Sequence, residues 1–200
     1  MIVSQTIQSF AQIVEVVFSG GVIAFRTDTF YGLGADPFNR EAVKRITKLK
    51  SREGTKPILI IISDQDQIER FIVERSESFK SLAHRFWPGP LTLIGKAAAG
   101  LPDEITGRTG TVGVRLPDDA DLRALLRACG GALTATSANS SNEDPAKTAR
   151  DVERYFGSTI DLIVDGGNAR VDRASTVVDV TGAEPKLVRE GVIAWSEIVE

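Results

Sequence analysis

Five large aliphatic residues, Ile58, Leu59, Ile60, Ile61 and Ile62, follow Pro57 without a polar residue among them. A strand with one wet face would alternate polar and apolar positions, so this largely β-branched run describes a strand covered on both faces. It is the longest apolar run in the chain and far too short for the roughly 20 residues that cross a bilayer. The chain around it must therefore supply layers for both sides.

The flanking patterns supply them. Ile7, Phe10, Val14, Val17 and Phe18 recur at helical spacing before Gly20-Gly21 stops the helix. Residues 22–25 then read as a strand that leaves the core into a polar, glycine-containing loop, 27–34. Asn39 caps a second helix whose core face is Val43, Ile46 and Leu49, with Lys50 at its end. Helical patterns also cover 65–72, 78–86, 120–128 and 146–155, with a short one at the C-terminus, and Trp87-Pro88-Gly89-Pro90 ends the second of these. Strands are expected at 91–95, 111–116, 132–136, 160–164, 176–180 and 186–189. The expected fold class is α/β: a twisted, mixed, open β-sheet flanked by helices, residues 1–200 forming one domain. A globule of 200 residues buries roughly 70% of its unfolded surface, enough for a core without staples.

Several chemistries are excluded early. Cys129 and His84 are the only residues of their kinds, which removes a disulfide framework and a Cys/His zinc site. His84 sits beside a buried stripe of Phe79, Leu82 and Phe86 and reads as a surface or boundary residue. Cys129 reads as a small buried apolar group. The N-terminus lacks a basic start and a secretory apolar stretch, so a cytoplasmic location is expected.

Charge is distributed unevenly. Arg40, Lys44, Arg45, Lys48, Lys50, Arg52 and Lys56 face only Glu41 and Glu53 within 40–56, although the whole chain carries a net −3. A local cationic block on an acidic protein points to a focused anion site. Lys50, Arg52 and Lys56 lie between a helix and a buried strand, where side chains converge on a sheet edge; a solvated basic loop reads the same charge run equally well. Gly32-Leu33-Gly34 fails as a dinucleotide fingerprint because Pro37 stands where its third glycine belongs, and no GxxxxGK[ST] phosphate loop occurs. The hydroxyl and amide cluster from Thr134 to Ser141 suits phosphate or ribose oxygens, or a capped turn. Arg115, in an otherwise apolar strand, must reach the sheet's end or meet a carboxylate.

Together the segments resemble the YrdC-like threonylcarbamoyl-AMP synthase family from about Gly20 to Gly191. The matching pieces are Thr27-Asp28-Thr29 with Tyr31-Gly32-Leu33-Gly34, Lys50-x-Arg52, Phe86-Trp87-Pro88-Gly89-Pro90-Leu91-Thr92, Val114-Arg115-Leu116-Pro117, Ser137-Ala138-Asn139, Ser175-Thr176-Val177-Val178-Asp179 and Val188-Arg189-Glu190-Gly191. Arg26, Glu53 and Asn142 depart from the family pattern, and the chain through Glu200 resembles its short, single-domain form.

The resemblance implies a positively charged cleft in which ATP, bicarbonate and L-threonine become threonylcarbamoyl-adenylate and pyrophosphate. It assigns Lys50, Arg52, Thr111, Ser137, Asn139 and Arg189 to ATP, with Lys50 and Arg52 also catalytic, and Lys56 of the same basic cluster is expected to join them. Thr27, Tyr31, Arg115 and Ser175 would hold threonine. Mg2+ would accompany ATP with no protein ligand assigned, and no covalent nucleophile is needed. Implied partners are downstream tRNA threonylcarbamoyl transferase proteins, with tRNA or double-stranded RNA as a further contact and no membrane. The alternatives are an RNA-binding module, a diverged paralogue without the activity, and a carbamoyl-adenylate domain using carbamoyl phosphate.

Overall fold

A computed structural model describes residues 1–50, 57–140 and 143–200. The chain begins with β1 (Ile2–Ser4) and α1 (Ile7–Phe18), whose Thr6 cap and Ser9 exchange hydrogen bonds. A hairpin follows, β2 (Ile23–Arg26) and β3 (Tyr31–Gly34), and then α2 (Arg40–Leu49). Asn39 caps α2 by accepting from the Ala42 amide, and Lys50 is its C-cap, both as the sequence predicts. The apolar run becomes β4 (Leu59–Ile62), followed by a 3-10 segment (Gln65–Arg70) and α3 (Glu77–Phe86). Next come β5 (Leu91–Lys96), α4 (Asp103–Thr106), β6 (Thr111–Arg115), α5 (Ala120–Ala128) and β7 (Ala132–Ser137). The chain continues through α6 (Ala149–Phe156), a 3-10 turn, β8 (Leu162–Asp165), β9 (Thr176–Asp179), β10 (Lys186–Arg189) and α7 (Trp195–Val199).

Among the described residues the strands form one mixed sheet in the order β1-β8-β2-β3-β7-β4-β6-β5-β9-β10. β4 lies inside it, antiparallel to β7 and parallel to β6. Its side chains alternate between two cores, as a doubly covered strand requires: Ile60 and Ile62 belong to one cluster and Ile61 to the other. The first cluster takes in α2, α3 and α6 through Val43, Ile46, Phe79, Leu82 and Val152. The second packs α1 and α5 on the opposite face through Ile13, Val17, Leu122 and Leu125. Among the described residues no helix is long and apolar enough to cross a membrane.

The polar loop expected over 27–34 is shorter than that, because 31–34 form strand β3, paired with both β2 and β7. Glycine hides the strand signal here for a packing reason. A Cβ on Gly34 would run into the Phe25 ring and the Thr134 carbonyl, so only glycine lets these strands close up. The helix expected over 65–72 is a 3-10 segment. The one expected from 146 starts instead at Ala149, because Thr148 and Asp151 cap it reciprocally.

Candidate active site

Helices α1 and α5 cover only part of their face of the sheet. α1 lies over β2 and β8, and α5 over β7. Beyond them the same face is left open, and a cavity of about 290 Å3 occupies it. Register explains which side chains meet there. Directly opposed antiparallel residues share a face, and Gly32 opposes Ser137, Ala135 opposes Leu59, and Gly113 opposes Ile94; all six line the cavity. The loop before β9 closes the far side with Ala174 and Ser175, and β10 adds Val188 and Arg189.

One wall is the turn between β2 and β3. The Thr27 hydroxyl donates to the Phe30 carbonyl at 2.7 Å and accepts from the Thr29 amide at 3.1 Å, a local pattern that holds the turn shut. Asp28 at its apex forms an ion pair of 3.1 Å with Arg115, whose Nη1 also lies 3.4 Å from the Thr29 hydroxyl. Arg115 thus meets both alternatives that its sequence context left open: it ends β6 and pairs with a carboxylate.

The opposite wall is built around Ser175. Its hydroxyl pairs with that of Thr92 at 3.0 Å, and its carbonyl accepts from Arg189 Nη2 at 2.9 Å. Loss of water and the neighbouring Arg115 both hold the Arg189 guanidinium below its ordinary range. Among the described residues, no carboxylate lies within ion-pair distance of Arg189. Thr176 fastens the following segment, because its hydroxyl donates to the Ile193 carbonyl at 2.6 Å and accepts from the Gly191 and Ile193 amides at 3.0 Å. Gly191 lies so close to Ala174 and Ser175 that a side chain there would collide with their backbone.

Lys50 approaches from behind. It is buried, and its ammonium donates to the Ser137 carbonyl at 2.7 Å and to the Asn139 carbonyl and side-chain oxygen at 2.5 Å. Ser137 Oγ donates to Asn139 Oδ1 at 2.7 Å, and Asn139 Nδ2 to the Glu143 carbonyl. The end of β7 is therefore a hydroxyl and amide loop held in shape by one lysine. Tyr31 lines the cavity, but its hydroxyl points away, donating to the Gly167 carbonyl at 2.7 Å and contacting Asp165 at 3.2 Å. Burial, and then the Asp165 charge, raise the phenol's pKa well above its ordinary value, so it stays protonated at neutral pH.

Residues 15–191 match the Sua5/YciO/YrdC domain family, described as telomere recombination. The chain belongs to this family. A Thiobacillus denitrificans relative named threonylcarbamoyl-AMP synthase is 39% identical, the match covering 85% of this chain and 89% of the relative. A Pyrococcus abyssi protein of the same name is also 39% identical over 90% of this chain, but the match spans only 53% of that longer relative. The crystal structure of P. abyssi Sua5 complexed with L-threonine superposes with a TM-score of 0.94 at 35% identity, covering 99% of this chain and 59% of that one. The mixed open sheet with flanking helices is thus the Sua5/YrdC fold.

Of the residues singled out for this family, Thr27, Tyr31, Ser137, Arg115, Ser175 and Arg189 line the one cavity, from five separate stretches of chain. Lys50 and Asn139 stand directly behind Ser137. Thr111 lies at the start of β6, outside the cavity, its hydroxyl 2.7 Å from that of Thr109. Arg52 and Lys56, like Glu53 and Asn142, fall outside the described residues. Sequence reasoning gave no role to Thr92 or Asp28. The cue for Asp28 was present: an arginine in an apolar strand requires a carboxylate, and an acidic residue stood between two threonines of a turn.

Proposed function

We propose that this chain is an L-threonylcarbamoyladenylate synthase, a nucleotidyltransferase that converts ATP, bicarbonate and L-threonine to threonylcarbamoyl-AMP and pyrophosphate. The observation that carries the reading is the pair of guanidinium groups, Arg115 and Arg189, on one hydroxyl-lined cavity. They stand close enough for the first to depress the second's proton affinity. Two anionic groups, a carboxylate and a polyphosphate, relieve that repulsion. The cavity is thus read as a positively charged cleft. The names of the relatives support the same substrates, the bacterial match covering nearly their whole length.

The chemistry asks for little beyond placement. Bicarbonate takes up a proton and loses water to give CO2, and the threonine amine adds to its carbon, giving a carbamate and returning the proton. A carbamate oxygen then forms a bond to the α-phosphorus while the bond to the β-phosphate oxygen breaks, and pyrophosphate leaves with the electron pair. Arg115, with Thr27 and Ser175, suits the amino acid. Arg189, Ser137 and Asn139, with Lys50 behind them, suit the nucleotide, which enters as its Mg2+ complex. Arg52 and Lys56 belong to the same phosphate group of residues in this reading. Charge already in position costs no reorganisation when the α-phosphate becomes crowded.

The product serves adenosine 37 of tRNA by way of tRNA threonylcarbamoyl transferase proteins, which fits a cytoplasmic setting. The test is pyrophosphate release from ATP and Mg2+ with and without the other substrates. Release is expected only when both threonine and bicarbonate are present, and Lys50→Ala should lower it about a hundredfold or more, the usual scale for losing a preorganised charged contact. Equal release without threonine would overturn the proposal.

A further inference from the structure

Two short segments that meet at the cavity are joined twice. One runs from Arg26 to Asp28 and carries one cation and one anion; the other runs from Arg115 to Asp119 and carries one cation and two aspartates, Asp118 and Asp119. Arg26 Nη2 reaches Asp119 Oδ2 at 2.8 Å, and Arg115 Nη1 reaches Asp28 Oδ1 at 3.1 Å. All four side chains are at most 9% exposed. Between Arg26 and Asp28 lies Thr27, and between Arg115 and Asp119 lies the turn from β6 into α5. The two bridges therefore set the distance from the Thr27 hydroxyl to the Arg115 guanidinium.

Burying ions in this way has a desolvation cost that apolar residues would not incur. Arg26 Nε and Nη1 are buried and, among the described residues, donate to no acceptor that would offset it. Asp119 has neighbours on three sides: Oδ1 accepts from the Leu122 amide at 3.0 Å as the N-cap of α5, Oδ2 is ion-paired with Arg26 but makes no aligned hydrogen bond, and Arg170 lies 3.8 Å away. An arrangement that spends stability while fixing a geometry is better explained by the geometry.

We infer that the Arg26–Asp119 bridge is a positioning device for the amino-acid half of the site: it holds the Thr27 turn against Arg115 so that the two engage a single amino acid. This rests on the functional reading above. Arg26 and Asp119 do not line the cavity and act through Thr27 and Arg115; they are positioning residues.

The experiment separates positioning from folding. Asp119→Asn keeps an N-cap acceptor but leaves Arg26 buried beside a neutral partner, whereas Arg26→Met with Asp119→Asn removes both charges. The double variant should recover the thermal stability that Asp119→Asn loses, because no uncompensated ion remains. Its KM for threonine should nevertheless stay raised about tenfold or more, with KM for ATP within about twofold of the unaltered enzyme. Recovery of the threonine KM along with stability would reduce the bridge to a structural tie and overturn the inference, as would equal rises in both KM values. An unaltered enzyme that releases no threonine-dependent pyrophosphate would instead overturn the functional reading, a distinguishable result.

Discussion

The two arginines of the cavity occupy opposite electrostatic situations. Arg115 lies in an interior strand, buried, with Asp28 at 3.1 Å and a second bridge between the same segments nearby. Arg189 lies on β10, holds a neutral carbonyl at 2.9 Å, and among the described residues has no carboxylate partner. A guanidinium that already shares a carboxylate gains most from geometry when a ligand arrives. One facing neutral oxygens gains most from charge. The Arg115 side of the cavity is thereby built for fit and the Arg189 side for attraction.

Removing each arginine should expose the difference. Arg115→Gln strands Asp28 in a buried position, and urea unfolding should report a loss of about 3–5 kcal/mol, the range for one partner taken from a buried pair. Threonine-dependent turnover should fall with it. Arg189→Gln should cost less than about 1.5 kcal/mol, the net worth of an ordinary hydrogen bond, yet raise KM for ATP about ten- to a hundredfold. Equal destabilisation by the two substitutions would erase the contrast. Tyr31→Phe keeps the ring on the cavity and removes the bonds to Gly167 and Asp165, for an expected loss of about 1 kcal/mol and little change in either KM. Thr111→Ala, outside the cavity, should alter ATP kinetics by less than about twofold; a larger effect would extend the site along β6.

Much of this arrangement is legible from the amino acids because local rules agree with the fold. Residues 120–128 form α5 as their apolar spacing predicts, Asn39 caps α2, and the Ile58 to Ile62 run feeds two cores by alternation. What the pattern hides is long-range. β3 reads as loop because Gly32 and Gly34 answer to strand packing rather than propensity, and β1 has only three residues, too few to show a period. In the site, Arg115 advertises a missing anion but not its address, which depends on how β2 and β6 are brought together. Arg26 and Asp119 are 93 positions apart, so nothing local joins them. Thr111 shows the converse. The family resemblance assigns it to ATP, and strand alternation puts it on the cavity's face, yet it lies outside the cavity's lining.

The sheet order carries one more consequence. β6 is hydrogen-bonded on both sides, by β4 and β5, while β10 is an edge strand bonded only to β9, through a ladder whose register slips between Leu187 and Arg189. Displacing Arg115 means breaking two ladders, whereas displacing Arg189 strains one that is already irregular. Compliance is thus greater on the Arg189 side of the cavity. On the proposed reading, the Arg189 side of the cavity can yield as phosphates enter and leave while the Arg115 side keeps its shape.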